Sequence, residues 1–177
     1  MFVHKALFLD RDGIINVDHG YVHTIKDFQF TEGIFELASL FQSSGYTLFV
    51  ITNQSGISRG YYKEEDFNIL TEWMIEAFKQ NDVKIEKVYY CPHLPNANCQ
   101  CRKPNTGMIE QATSQYSIDL AHSWMIGDKQ SDIDLAHNGH ISNSIAIGDD
   151  GIQNATLHFK TIPECLEYLQ ENQGKIL

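Results

Sequence analysis

The stretch Lys5-Ala6-Leu7-Phe8-Leu9-Asp10-Arg11-Asp12-Gly13 decides the fold: a short apolar run, stopped by two carboxylates one residue apart. Periodicity alone does not separate a run this short from a buried helix, so its companions have to decide. Four follow it: Leu48-Phe49-Val50-Ile51, Val88-Tyr89-Tyr90, Trp124-Met125-Ile126 and Ser144-Ile145-Ala146-Ile147. Between them lie helical stripes. Ile34, Leu37, Ala38 and Phe41 share one face, with Gly45 placed to end the helix, and Phe67, Leu70, Met74 and Phe78 make a second. Residues 107–116 and 131–138 are further helix candidates, and Thr161-Ile162-Pro163-Glu164 has the spacing of a capping box with proline early in the helix. Strands alternating with helices predict an α/β fold, a doubly wound and mostly parallel sheet, and no composition shift breaks residues 1–177 into more than one domain.

In such a sheet, ligands gather beyond the carboxyl ends of the strands, so the residues that follow each run carry the chemistry. Asp10 and Asp12 repel each other unless a cation or a proton lies between them, and a hard ion such as Mg²⁺ suits two carboxylates and phosphate oxygens. The plainer reading is a solvated Asp-Gly turn. Thr52-Asn53-Gln54-Ser55-Gly56 offers a hydroxyl and a run of N–H groups that can grip phosphate, or an ordinary loop. In Gly127-Asp128-Lys129-Gln130-Ser131-Asp132, Asp128 is a further metal ligand or a helix cap, and Asp132 can hold the site together from behind. Lys103, beside Arg102, supplies the positive charge that phosphoryl transfer needs, or is a surface cation.

Cys91, His93, Cys99 and Cys101 fall within eleven residues. Three thiols and an imidazole make a closed tetrahedral set for a structural Zn²⁺, against the plainer reading of a loop with free thiols. Cys165 falls on an apolar stripe with Leu166 and Leu169 and reads as core. The net charge of −10 argues against a nucleic-acid partner, and no apolar run approaches membrane-spanning length. Met1–Lys5 leads into a run too short for a secretion signal, so a cytoplasmic protein is expected; separately, a monomer is the expected state.

Taken together and in order, Asp-x-Asp, a strand-end Thr, a Lys and Gly-Asp-x-x-x-Asp resemble the four motifs of the haloacid dehalogenase superfamily of phosphatases, from Lys5 to about Gly148. The resemblance implies that Asp10 is the nucleophile that takes the phosphoryl group, and that Asp12 is the general acid and then the base. It implies that Thr52 and Lys103 hold the phosphoryl group, and that Mg²⁺ is bound by Asp10, the Asp12 carbonyl and Asp128. A receiver-type phosphoacceptor domain shares the fold class but would carry its acceptor Asp after the third strand, where Tyr90-Cys91 stands.

Within the superfamily, the Cys-x-His…Cys-x-Cys-Arg-Lys-Pro loop resembles the branch of the histidinol-phosphate and heptose-bisphosphate phosphatases, which carry no large cap domain. The segments Asn16–His23, Asn53–Ile57 and Leu70–Met74 are similar to the heptose enzymes. Two features depart from them: Ile14 stands where Thr is usual, and only five residues separate His93 from Cys99, as in the histidinol-phosphate enzymes. The resemblance implies a small phosphorylated sugar as substrate, favouring the C7 phosphate of a heptose 1,7-bisphosphate over histidinol phosphate. Asp18, Tyr21 and Asn53 are then substrate contacts, and Arg102 and Lys129 clamp the remote phosphate, with Arg59 a further candidate.

Overall fold

The computed structural model describes residues 3–177; Met1 and Phe2, part of the N-terminal stretch read above, lie outside the described residues. Six strands, β1 (Lys5–Leu9), β2 (Tyr46–Asn53), β3 (Ile85–Cys91), β4 (Trp124–Gly127), β5 (Asn143–Ile147) and β6 (Leu157–Phe159), form one sheet in the order β3-β2-β1-β4-β5-β6. Every pairing is parallel. All five predicted strands are present. The sixth, β6, has no apolar run to announce it: three half-buried residues are held by pairing with β5.

Five helices cover the sheet: α1 (Ile34–Ser43), α2 (Glu64–Gln80), α3 (Gly107–Gln115), α4 (Gln130–Asn138) and α5 (Ile162–Ile176). The strand period of two splits their partners. Leu7 and Leu9 of β1 pack in one core with Leu37 and Phe41 of α1, Met74 and Phe78 of α2, and Cys165 and Leu169 of α5. Ala6 and Phe8 pack on the other side with Met108 and Ala112 of α3 and Leu135 of α4. Strands buried on both faces read as unbroken apolar runs, which is why the sequence showed them.

The predicted helix stripes are buried as expected, and Gly45 follows α1 at φ +88°. The capping box at α5 forms by half. Thr161 Oγ1 accepts from the Glu164 N–H at 3.3 Å, but Glu164 reaches past the cap to the Lys160 N–H at 3.0 Å. The β1–α1 connection holds only a 3₁₀ turn at Ile25–Asp27, so no cap domain is inserted there. No helix among the described residues is long and apolar enough to cross a membrane.

After β3 the chain crosses back to the other side of β1, so the order reverses between β1 and β4. That crevice is where a doubly wound sheet binds ligands. Asp10 follows β1 there, its N–H bonded to Ile126 O of β4 at 3.0 Å, and Asp128 follows β4.

Candidate active site and metal-ligand cluster

The loop after β1 is wound tightly by its own backbone. Arg11 O accepts from the N–H groups of Ile14, Ile15 and Asn16 at 3.2, 2.8 and 3.1 Å. Gly13 turns it at φ +90°, and a Cβ there would stand 2.1 Å from Asp128 Oδ2, so only glycine admits that carboxylate against the loop. Arg11 is buried and ties the loop down, donating from Nη2 to Val22 O at 2.6 Å and to Asp12 Oδ1 at 2.7 Å. The sequence reading passed over Arg11; its signal is a cation between two carboxylates.

Lys103 is buried and brings the two halves of the sheet together. Its Nζ lies 2.8 Å from Asp10 Oδ1 and 2.7 Å from Asp132 Oδ1, and donates to Ile51 O at 3.0 Å. Burial works to neutralise the ammonium, but Asp10 and Asp132 together outweigh it and hold it charged. Asp10 Oδ1 also accepts from the Arg11 N–H at 2.8 Å, and neither donor takes Oδ2. Burial, reinforced by the Asp132 charge, raises the Asp10 pKa against the pull of Lys103.

Asp128 does not cap α4. Lys129 occupies the cap position, and Asp132 Oδ2 accepts the Lys129 N–H at 3.1 Å. Asp128 Oδ1 is buried without a partner. Burial, then the charges of Asp10 and Asp132, push its pKa up to about 7. Carboxylate oxygens of Asp10, Asp128 and Asp132 lie within 4.8 Å of one another. An orphaned oxygen among three crowded acids fits a divalent cation. Lys103 and the Lys129 N–H already occupy Asp132, so Asp10 and Asp128 are the side chains that could hold one.

Asp12 is held from both sides. Its Oδ1 accepts from Arg11 and, at 3.1 Å, from Asn16 Nδ2, while Oδ2 accepts from Gln54 Nε2 at 3.0 Å. Thr52 is buried, its Oγ1 accepting from Gln54 Nε2 at 2.8 Å. Asn53 faces the Lys103 backbone, accepting its N–H at 3.0 Å. Gln54 and Tyr62, joined by a 2.5 Å hydrogen bond, went unassigned in the sequence reading although Gln54 stands in the quoted loop.

A cavity of about 440 Å³ opens over this centre, lined among others by Asp10, Asp12, Asp18, Tyr21, Asn53, Arg102, Lys103, Lys129 and Asp132. Every proposed catalytic or substrate-contact side chain except Thr52 and Arg59 lines it. Asp128 borders a neighbouring cavity with Gly13 and Asp149. Arg59 lines neither; it lies 5.9 Å from the ring of Tyr21. Lys129 Nζ is 3.4 Å from Asp18 Oδ2, and Asp18 Oδ1 takes the Gly20 N–H at 2.9 Å, shaping the turn that presents Tyr21.

The cysteine loop leaves the end of β3. Sγ of Cys91 lies 3.5 Å from that of Cys99 and 2.9 Å from that of Cys101, and His93 Nδ1 is 3.4 and 3.2 Å from Cys91 and Cys101. The edge of a tetrahedron with Zn–S bonds of 2.3 Å is about 3.8 Å, so the four donors are gathered on the scale of one ion. The cysteines are unbridged. Burial drives the Cys91 thiol up; at Cys99, the Arg102 N–H and neighbouring thiols outweigh burial and bring it down to about 7.

The HAD-hydrolase-like family model matches residues 100–147. The D-glycero-alpha-D-manno-heptose-1,7-bisphosphate 7-phosphatase of Campylobacter jejuni is 45% identical, covering 94% of this chain and 96% of its own. The D-glycero-beta-D-manno-heptose-1,7-bisphosphate 7-phosphatase of Helicobacter pylori is 49% identical over 83% of this chain and 86% of its own. In structure, the D,D-heptose 1,7-bisphosphate phosphatase of B. bronchiseptica, complexed with magnesium and phosphate, superposes with a TM-score of 0.82 at 27% identity, covering 95% of this chain and 99% of that one. With strand order, motif positions and near-full-length likeness in agreement, the chain belongs to the D-glycero-D-manno-heptose-1,7-bisphosphate 7-phosphatase family of haloacid dehalogenase-like phosphatases.

Proposed function

We propose that this phosphatase hydrolyses the C7 phosphate of D-glycero-D-manno-heptose 1,7-bisphosphate through an aspartyl phosphate on Asp10. The observation that carries the chemistry is the division of labour at Asp10. Its Oδ1 is tied by Lys103 and the Arg11 N–H, while Oδ2 stays clear of both donors beside a cavity that Asp12 also lines. Oδ2 attacks phosphorus as the bond to the C7 oxygen breaks, and Asp12 gives that oxygen its proton. Asp12 then takes a proton from water as the water oxygen displaces Asp10 from phosphorus. Lys103 steadies Asp10 and, with Thr52, holds the phosphoryl oxygens, while Thr52 Oγ1 also accepts from Gln54.

Asp10, Asp128 and the Asp12 carbonyl would hold Mg²⁺, which when bound neutralises charge on the phosphoryl group. A structural Zn²⁺ suits Cys91, His93, Cys99 and Cys101. Arg102 and Lys129, both at the cavity, are the cations placed to hold the C1 phosphate while C7 reacts, with Asp18, Tyr21 and Asn53 beside the sugar. A second anion bound at a distance positions the reacting end. Histidinol phosphate brings cations instead and would set its ammonium against Lys129. Phosphate release from the two substrates by purified protein with Mg²⁺ tests the assignment. Preference for histidinol phosphate overturns the substrate and leaves the chemistry.

A further inference from the structure

We infer that Gln54, locked by Tyr62, is a positioning residue that aims the proton-bearing lone pair of Asp12 at the leaving oxygen. This rests on the reading of Asp12 as the general acid. A carboxylate offers about four lone-pair sites. On Asp12, Arg11 Nη2 and Asn16 Nδ2 fill both sites of Oδ1, at 2.7 and 3.1 Å, and Gln54 Nε2 fills one of Oδ2 at 3.0 Å. One site is left, on Oδ2, and Gln54 sets its direction.

The amide of Gln54 is itself built in. Nε2 spends its two hydrogens on Asp12 Oδ2 and Thr52 Oγ1, Oε1 accepts from the Tyr62 hydroxyl, and the backbone N–H donates to Cys91 O at 2.7 Å. The side chain is 3% exposed. Reversing the amide would turn its oxygen toward the Asp12 carboxylate, which only a protonated Asp12 could tolerate. Tyr62 opposes that reversal, because its hydroxyl donates to Oε1 at 2.5 Å and would lose that acceptor if the amide turned. The phenol ring is held by His23, stacked at 4.9 Å and 8°. A Cβ on Gly56 would meet Tyr62 Cε1 at 2.1 Å, so glycine makes the room for that ring. Stack, phenol, amide and carboxylate form one chain from the rim to the reacting proton.

The experiment compares two leaving groups. The heptose bisphosphate expels an alkoxide that needs the Asp12 proton, whereas p-nitrophenyl phosphate expels a phenolate that does not. Gln54→Leu, close in volume and without polar atoms, is expected to lower kcat/KM, which reports the steps up to departure of the leaving group and not the later attack of water, by roughly 30-fold or more on the heptose and by less than about threefold on the aryl phosphate, a fraction of what general acid catalysis is worth. Tyr62→Phe, which leaves Gln54 in place, is expected to show the same selectivity at roughly fivefold. Equal losses on both substrates, or none on either, overturn the inference. Asp12→Asn in the same assay separates the two readings. If it lacks the alkyl-selective loss, the acid role of Asp12 falls. If it shows that loss and Gln54→Leu does not, the positioning role alone falls.

Discussion

Among the described residues, the carboxylate centre and the cysteine loop are the two places where metal-binding groups gather, and they are built in opposite ways. Cys91, His93, Cys99 and Cys101 come from one short segment with two prolines, gathered by nearness in sequence and by packing of the three cysteines against the core at the end of β3. Asp10, Lys103, Asp128 and Asp132 come from three separate connections, and the Lys103–Asp10 contact spans 93 residues. The sheet, not a metal, brings them together. The sheet therefore holds the first centre ready without an ion, whereas an ion held by the four loop donors would add order to a segment with little packing of its own. The two are joined in sequence, because the loop runs directly into Arg102 and Lys103.

The contrast breaks most sharply at Asp10. Asp10→Asn is expected to lower phosphate release by at least about 10⁴-fold, the scale on which removal of a nucleophile acts, with the melting temperature kept. Near-normal turnover by this variant would remove the aspartyl-phosphate mechanism. Asp12→Asn is expected to cost about two to four orders of magnitude in kcat.

At the other region the expected order of effects reverses. Elemental analysis should find close to one zinc per chain. Cys99→Ser should lower Tm and loosen the loop while leaving measurable turnover, because Asp10, Asp12 and Asp128 are untouched. Zinc-free protein with freely titratable thiols and an unchanged Tm would erase the distinction between the two regions.

A smaller effect sharpens the carboxylate side. The heptose bisphosphate should exceed histidinol phosphate in kcat/KM by at least about tenfold, roughly 1.4 kcal/mol. Lys129→Ala should narrow that gap by hurting the bisphosphate alone.

The smallest effect concerns metal-free stability. Asp128 has its pKa raised from 3.8 to about 7, so between those values the folded state holds a proton that the unfolded chain has lost. Stability from this group is therefore lost as pH rises from about 4 toward 7. Thermal melts of metal-free protein should show that loss, and Mg²⁺ should reverse it. Asp128→Asn should raise the metal-free Tm at neutral pH by roughly 2–4 °C, what about 1 kcal/mol gives in a chain of this size, and should blunt the Mg²⁺ effect. A melt profile indifferent to both changes would mean that the acids do not strain the empty centre.

Strands buried on both faces leave apolar runs, and helices with one buried face leave stripes, so Leu7–Leu9 and the row from Phe67 to Phe78 declared themselves. The edge strand β6 did not, because three half-buried residues carry no pattern. Likewise, Asp10, Asp12, Lys103 and Asp128 were legible as residues that follow strands or motifs. Arg11, Gln54 and Tyr62 were not, because their importance lies in which atoms they touch.

The sequence by itself determined the fold class, the motif order and the donor set of the cysteine loop, since each depends on local spacing and on burial repeating along the chain. Only the tertiary structure decided that Lys103 bridges Asp10 and Asp132, that Asp128 keeps an unpartnered oxygen rather than capping a helix, and that Gln54 stands between Thr52 and Asp12. Those facts depend on distances between segments far apart in the chain, which are set when the strands on either side of β1 close the crevice, and no local pattern records them.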